Sequence, residues 1–188
     1  KPAAKIEHAS INIGMQSRLS ANKDHQTLIT AFAQLVKLHT EKPLKLFIAG
    51  DGVCRSQLEE LAENLGVADA VTFTGMLDET ALPAFINSLD IYVHATFGET
   101  MSTAIMQVMA CEKPIVASDV LGVDNMITDN ETGLLVPVKN ADALCAAIEK
   151  LIKNPAMANA LAGKAYNFAK NNYSNTAMLD AYNKIFNA

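Results

Sequence analysis

The residues best placed to do chemistry lie between Phe97 and Gln107, FGETMSTAIMQ. This stretch follows a short apolar run, Ile91-Tyr92-Val93, and leads into a helical run ending near Cys111. A strand passing through a polar loop into a helix start makes an anion site, because free backbone N–H groups and the positive end of the helix dipole point into the loop. Ser102 is a capping residue for that helix, and Thr103 and Gln107 then fall one turn apart on one face. Ile105, Val108 and Met109 occupy the opposite, core-facing side. Glu99 is a carboxylate in the loop before the helix, readable as a ligand contact or as a solvated surface glutamate. Arg18 and Lys23 share the loop after the first strand candidate. Two such cations can neutralise a diphosphate, the arginine bidentately and the lysine as a point charge; alternatively they are solvated loop charges. His94 reads first as a structural histidine and second as a sugar-phosphate contact. His8, His25 and His39 share no spacing, so no metal site is expected, and neither Ser20 nor Ser102 has the His/Asp pattern of a nucleophile.

These loops need a scaffold, and the chain supplies one. Strand candidates fall at Ile11–Met15, Leu44–Ala49, Val71–Phe73, Ile91–His94, Pro114–Ala117 and Leu134–Val136. Between them, Asp24–Thr40 carries Leu28, Ile29, Phe32, Leu35 and Val36 on one stripe. Ser56–Leu65 opens with a Ser56/Glu59 capping-box pattern and stops at Gly66. Shorter helices are expected over 80–88 and 102–111, then Asn140–Lys153, a new start at Pro155, and an amphipathic stretch over 175–187. Strands alternating with helices imply an α/β fold, a Rossmann-like doubly wound parallel sheet of about six strands. In such sheets ligands bind beyond the carboxyl ends of the strands. The segments Gln16–Lys23, Gly50-Asp51-Gly52, Thr74-Gly75, His94–Thr103 and Ser118-Asp119 all follow strands and are therefore expected along one edge. Residues 1–10 read as a linker, 11–172 as the ligand-binding domain, and 173–188 as a C-terminal helix that packs on a domain outside this chain.

Composition narrows the function. The 188 residues are 50% hydrophobic, enough for one domain with a full core. A net charge of −5 argues against nucleic acid or an anionic membrane surface as partner, but not against one locally basic phosphate pocket. Three distant cysteines, Cys54, Cys111 and Cys145, fit a reduced, cytoplasmic compartment. No apolar run approaches the roughly 20 residues of a membrane span. The chain opens Lys1-Pro2 and is expected to be part of a longer protein.

The ordered motifs then become specific. Phe97–Gln107 resembles the donor-sugar loop of the retaining glycosyltransferases of family 4, where two glutamates are spaced as Glu99 and Gln107 are. Arg18-Leu19-Ser20-Ala21-Asn22-Lys23 is similar to that family's G-R-L segment and its following lysine. Ala49-Gly50-Asp51-Gly52 matches "A-G-D-G", Val71–Gly75 matches "V-x-F-x-G", Met109–Asp119 resembles "M-A-x-G-x-P-V-V-A-S-D", and Thr132–Pro137 resembles "T-G-L-L-V-P". The resemblance spans roughly Gly14 to Val138 and implies the C-terminal, donor-binding half of a GT-B fold. By it, Arg18 and Lys23 grip the donor's diphosphate as catalytic groups, and Glu99 sits by the donor sugar. Gly50, Gly52 and Gly75 shape the donor pocket, and Met76 meets the base through its backbone. The N–H groups of Met101, Ser102 and Thr103 face the sugar and β-phosphate, and Gln107 meets the ribose.

The implied reaction moves a sugar from a UDP- or GDP-linked donor to a glycan or lipid acceptor bound by the missing N-terminal domain, without a cofactor or metal. The fragment alone is then expected to bind donor weakly and turn over nothing. In the longer protein that absent domain would also set any peripheral membrane attachment. Two departures stand out: Gln107 replaces the second glutamate, and Glu112 replaces a glycine. The residues leave open a non-catalytic nucleotide-sugar or protein-binding module, and a sugar-nucleotide epimerase on the same fold.

Overall fold

The computed structural model describes residues 9–38 and 41–186. Most of the expected linker, the last two residues of the first expected helix and residue 187 lie outside the described residues. Six parallel strands form one sheet: β1 (Ile11–Gln16), β2 (Leu44–Ala49), β3 (Val71–Gly75), β4 (Ile91–His94), β5 (Ile115–Ser118) and β6 (Leu134–Val136). Their order is β3-β2-β1-β4-β5-β6. The chain runs outward through β2 and β3, then returns to place β4 beside β1, so the topological switch point falls between those two strands. The loops after β1 and β4 therefore meet at the middle of the carboxyl edge.

Helices cover both faces: α1 (His25–Leu38), α2 (Arg55–Asn64), α3 (Leu82–Asn87), α4 (Thr103–Ala110), α5 (Ala141–Lys153), α6 (Pro155–Asn172) and α7 (Asn175–Phe186). Central strands buried on both sides read as continuous apolar runs. Along β4, Val93 belongs to the core under α1 and α5, whereas Tyr92 belongs to the core with Ile105, Val108 and Met109 of α4. The stripe expected on α1 is buried at Leu28, Ile29, Phe32 and Leu35.

The Ser56/Glu59 capping box does not form. The helix begins one residue earlier, at Arg55, with Cys54 as N-cap and no side-chain cap. The Gly52–Cys54 turn already occupies the first donors, Cys54 N–H to the Leu19 carbonyl (3.0 Å) and Arg55 N–H to the Gly52 carbonyl (3.1 Å). Glu59 instead accepts from Arg55 Nε at 2.8 Å. Tyr92, fully buried, donates its hydroxyl to the Gln16 carbonyl (3.2 Å) and receives the Gln16 N–H (3.4 Å). Burial raises its phenol pKa, so it stays a neutral donor. Tyr92→Phe is expected to cost about 1 kcal/mol in chemical denaturation, the net worth of such a bond.

Candidate functional site

The floor of the site is main chain. Ser17 N–H donates to the Ala49 carbonyl (2.9 Å), Leu19 N–H to Asp51 (2.9 Å), and Gly50 N–H to Gly75 (2.8 Å). A Cβ on Gly50, whose φ is +139°, would lie 1.9 Å from the Ser17 carbonyl oxygen, and one on Gly52 would lie 2.3 Å from that of Leu19. The glycine-rich turn is thus packed directly beneath the Arg18 loop, closer than any side chain permits. On the other side of the switch point, Glu99 N–H donates to the Leu121 carbonyl (3.2 Å), and Thr96 N–H donates to Ser118 Oγ (3.0 Å). The five strand-end segments therefore share one edge, as the topology requires.

Over this floor the structure brings Lys23, Glu99, His94 and Ser102 into one network. Lys23 Nζ and His94 Nε2 both contact Glu99 Oε1, the latter at 2.9 Å. Lys23 also reaches Thr96 Oγ1 at 3.4 Å. The hydrogen bond from His94, followed by that from Lys23, holds the Glu99 carboxyl down to about 2, so it is an anion at neutral pH. Ser102 caps α4 as expected, its Oγ accepting the Ile105 N–H at 3.3 Å and lying 3.4 Å from His94 Nε2. Thr103 opens α4 and Met101 precedes its cap. Arg18 is exposed beside Gly50 and makes no ion pair among the described residues. Met76, past the end of β3, and Met101 are exposed apolar side chains, as is Leu121.

Gln107 has a partner that its sequence context does not show. Gln16 Nε2, at the end of β1, donates to Gln107 Oε1 at 2.7 Å. The amide oxygen expected to meet a ligand already accepts one bond, which leaves the Nε2 donor group as the free end. Asp24 was also missed. It is buried, caps α1 through Thr27 N–H (3.3 Å) and accepts Lys139 N–H (3.0 Å), tying the basic loop to the loop after β6. An acid immediately before the helical stripe was the available signal. A separate hollow of about 310 Å³ lies at the opposite, amino-terminal edge, lined by residues such as Ile11, Asp90, Lys113 and Pro114. Among the described residues no group of three or more His, Cys, Asp or Glu could hold a metal ion, and no helix is long and apolar enough to cross a membrane.

A doubly wound sheet with a basic loop, glycine turns and a capped helix start at its switch point defines a Rossmann-like half of the GT-B architecture. The chain belongs to the family described as glycosyl transferases group 1, whose profile matches residues 2–168. It is 31% identical over 169 residues to alpha-D-kanosaminyltransferase of Streptomyces kanamyceticus, covering 90% of this chain and 43% of that protein. It is 32% identical over 158 residues to alpha-monoglucosyldiacylglycerol synthase of Streptococcus pneumoniae, covering 84% of this chain and 35% of the relative. The chain thus spans less than half the length of these curated relatives. The crystal structure of Anabaena HepE in complex with UDP and glucose superposes with a TM-score of 0.85 at 22% identity, over 96% of this chain and 49% of that one.

Proposed function

We propose that the chain is the donor-binding half of a retaining glycosyltransferase of family 4, moving a sugar from a nucleotide-diphosphate sugar to a glycan or lipid acceptor. The observation that carries this reading is the Lys23–Glu99 pair, held beside the start of α4 at the switch point of the sheet. A carboxylate kept ionised there can accept from sugar hydroxyls. The exposed Arg18, Lys23 and the N–H groups of Met101, Ser102 and Thr103 can take the charge that develops on a departing diphosphate. Fixed positive charge supplies that stabilisation from the chain itself. Gly50, Gly52 and Gly75 let the backbone approach the ligand, and Met76 borders the base. Relatives named as glycosyltransferases, and a structural neighbour holding UDP and glucose, support the donor class. The acceptor site and the completed catalytic centre belong to the additional length those relatives have, so this chain alone is expected to bind donor weakly and to transfer nothing. Measurable transfer by it would refute that. A cytoplasmic protein, with any membrane attachment peripheral and made through the further domain, fits this reading.

Position 107 provides the test. Glutamate there would keep the bond from Gln16 and put a second acceptor oxygen where Gln107 now presents an amide N–H. Charged hydrogen bonds are worth roughly 1.5–3 kcal/mol against roughly 0.5–1.5 for neutral ones, so Gln107→Glu is expected to tighten nucleotide binding about tenfold. Calorimetric titration with UDP and GDP checks it. Indifference of both nucleotides to the substitution supports instead a non-catalytic binding module, the reading that the Gln16–Gln107 amide pair favours.

A further inference from the structure

We propose that His94 is a positioning residue acting as a fixed, uncharged N–H donor, which holds one oxygen of Glu99 so that the carboxylate stays aimed while Lys23 is free to turn to a phosphate. This rests on the donor-binding reading above. The carboxylate of Glu99 can only accept, so His94 Nε2, at 2.9 Å, carries the proton. Nδ1 of the same ring is buried and has no hydrogen-bond partner among the described residues. A lone pair can be left there at modest cost. A second N–H could not, because it would be a buried charged donor with no acceptor.

The charged and titratable groups around the ring agree. Burial, the largest influence, pushes the His94 pKa down; Glu99 favours a positive imidazole, Lys23 disfavours it, and His25 and Tyr92 are themselves neutral at pH 7. The ring is also rigid. It ends β4, is 1% exposed, and stacks on Tyr92 at 6.2 Å between centroids and 20° between planes. Lys23, by contrast, is a flexible stem bearing a point charge. Both contacts fall on Oε1, whereas Oε2 makes none of the hydrogen bonds among the described residues. Withdrawal of Lys23 toward an incoming diphosphate therefore removes one of two anchors and leaves the rigid one, and the 3.4 Å approach of Ser102 Oγ ties that anchor to the helix cap.

Two measurements on this chain test the role. Long-range proton–nitrogen NMR of the His94 ring is expected to show the neutral Nε2–H tautomer throughout about pH 6.5 to 8, a range at whose lower end an ordinary histidine is half protonated. An imidazolium in that range overturns the proposal. Second, the best-binding nucleotide sugar from a UDP- and GDP-sugar panel is compared with its bare nucleotide in two variants. His94→Leu removes the donor, and His94→Gln keeps an N–H at similar reach. The leucine variant is expected to weaken the nucleotide sugar about tenfold, as one charge-assisted bond implies, while the nucleotide changes less than about twofold. Glutamine is expected to restore most of the loss. Equal weakening of both ligands, or glutamine no better than leucine, overturns the role. Failure of every nucleotide and nucleotide sugar to bind the unaltered chain instead sinks the donor reading and the role with it. That case is recognisable because the ring would still report its neutral tautomer.

Discussion

Alanine at position 122 is expected to destabilise the fold by about 3 kcal/mol and to displace the Glu99 loop. Gly122 has φ +86°, and an added Cβ would lie 1.9 Å from the Glu99 carbonyl oxygen and 2.5 Å from its carbon. Both obstacles are backbone, so no side-chain rotation relieves the contact. The loop must move, and with it the Glu99 N–H bond to Leu121 and the carboxylate that Lys23 and His94 hold. Urea denaturation reads the first effect and nucleotide-sugar titration the second. Gly163 is the internal control. It sits within α6, its Cβ would meet nothing nearer than 3.6 Å, and alanine there is expected to gain up to about 1 kcal/mol by helix propensity. A Gly122→Ala protein as stable as the parent would mean that the two loops do not pack as described.

Acid is expected to loosen the fold in two steps, and the first belongs to His25. This residue opens α1, is almost fully buried, and lies with Nε2 2.9 Å from Ser17 Oγ. Burial first, then the nearby Lys23, lowers its pKa from 6.5 to about 4. A lowered histidine binds its proton more readily when unfolded, so its contribution is fully present above 6.5. It is lost as pH falls toward 4, a change of roughly 3 kcal/mol. His94 acts in the same direction. Glu99 follows at lower pH: its carboxyl is depressed from 4.5 to about 2, so its contribution is present above 4.5 and is lost as pH falls toward 2. Denaturation midpoints measured in steps from neutral pH downward check the sequence. His25→Gln, which keeps a partner for Ser17, is expected to flatten the upper step and leave the lower one. An upper step of equal size in that variant would assign it elsewhere.

The strands were legible because their apolar runs and flanking turns carry a local signal, and β2, β4 and β6 match their expected limits. Ser102 was legible for the same reason, since a cap acts within three residues of itself. The pairings that define the site are of another kind. Lys23 and Glu99 are 76 residues apart, and Gln16 and Gln107 are 91 apart. They meet only because β1 lies beside β4, and nothing in either segment encodes its neighbour. His94 looked structural because it closes a buried strand. It is buried, but its ring faces the carboxylate in place of the core. The Ser56/Glu59 box failed where a tertiary contact, the Gly52 turn against Leu19, replaced the local cap.

The main-chain floor has an evolutionary consequence. The bonds of Ser17 to Ala49, Gly50 to Gly75 and Glu99 to Leu121 use atoms that every residue supplies, so the platform is insulated from side-chain drift. Met76, Met101 and Leu121 stand exposed around it and carry little of the core. Rim residues can therefore be exchanged one at a time, changing the chemistry of this edge with the architecture left whole.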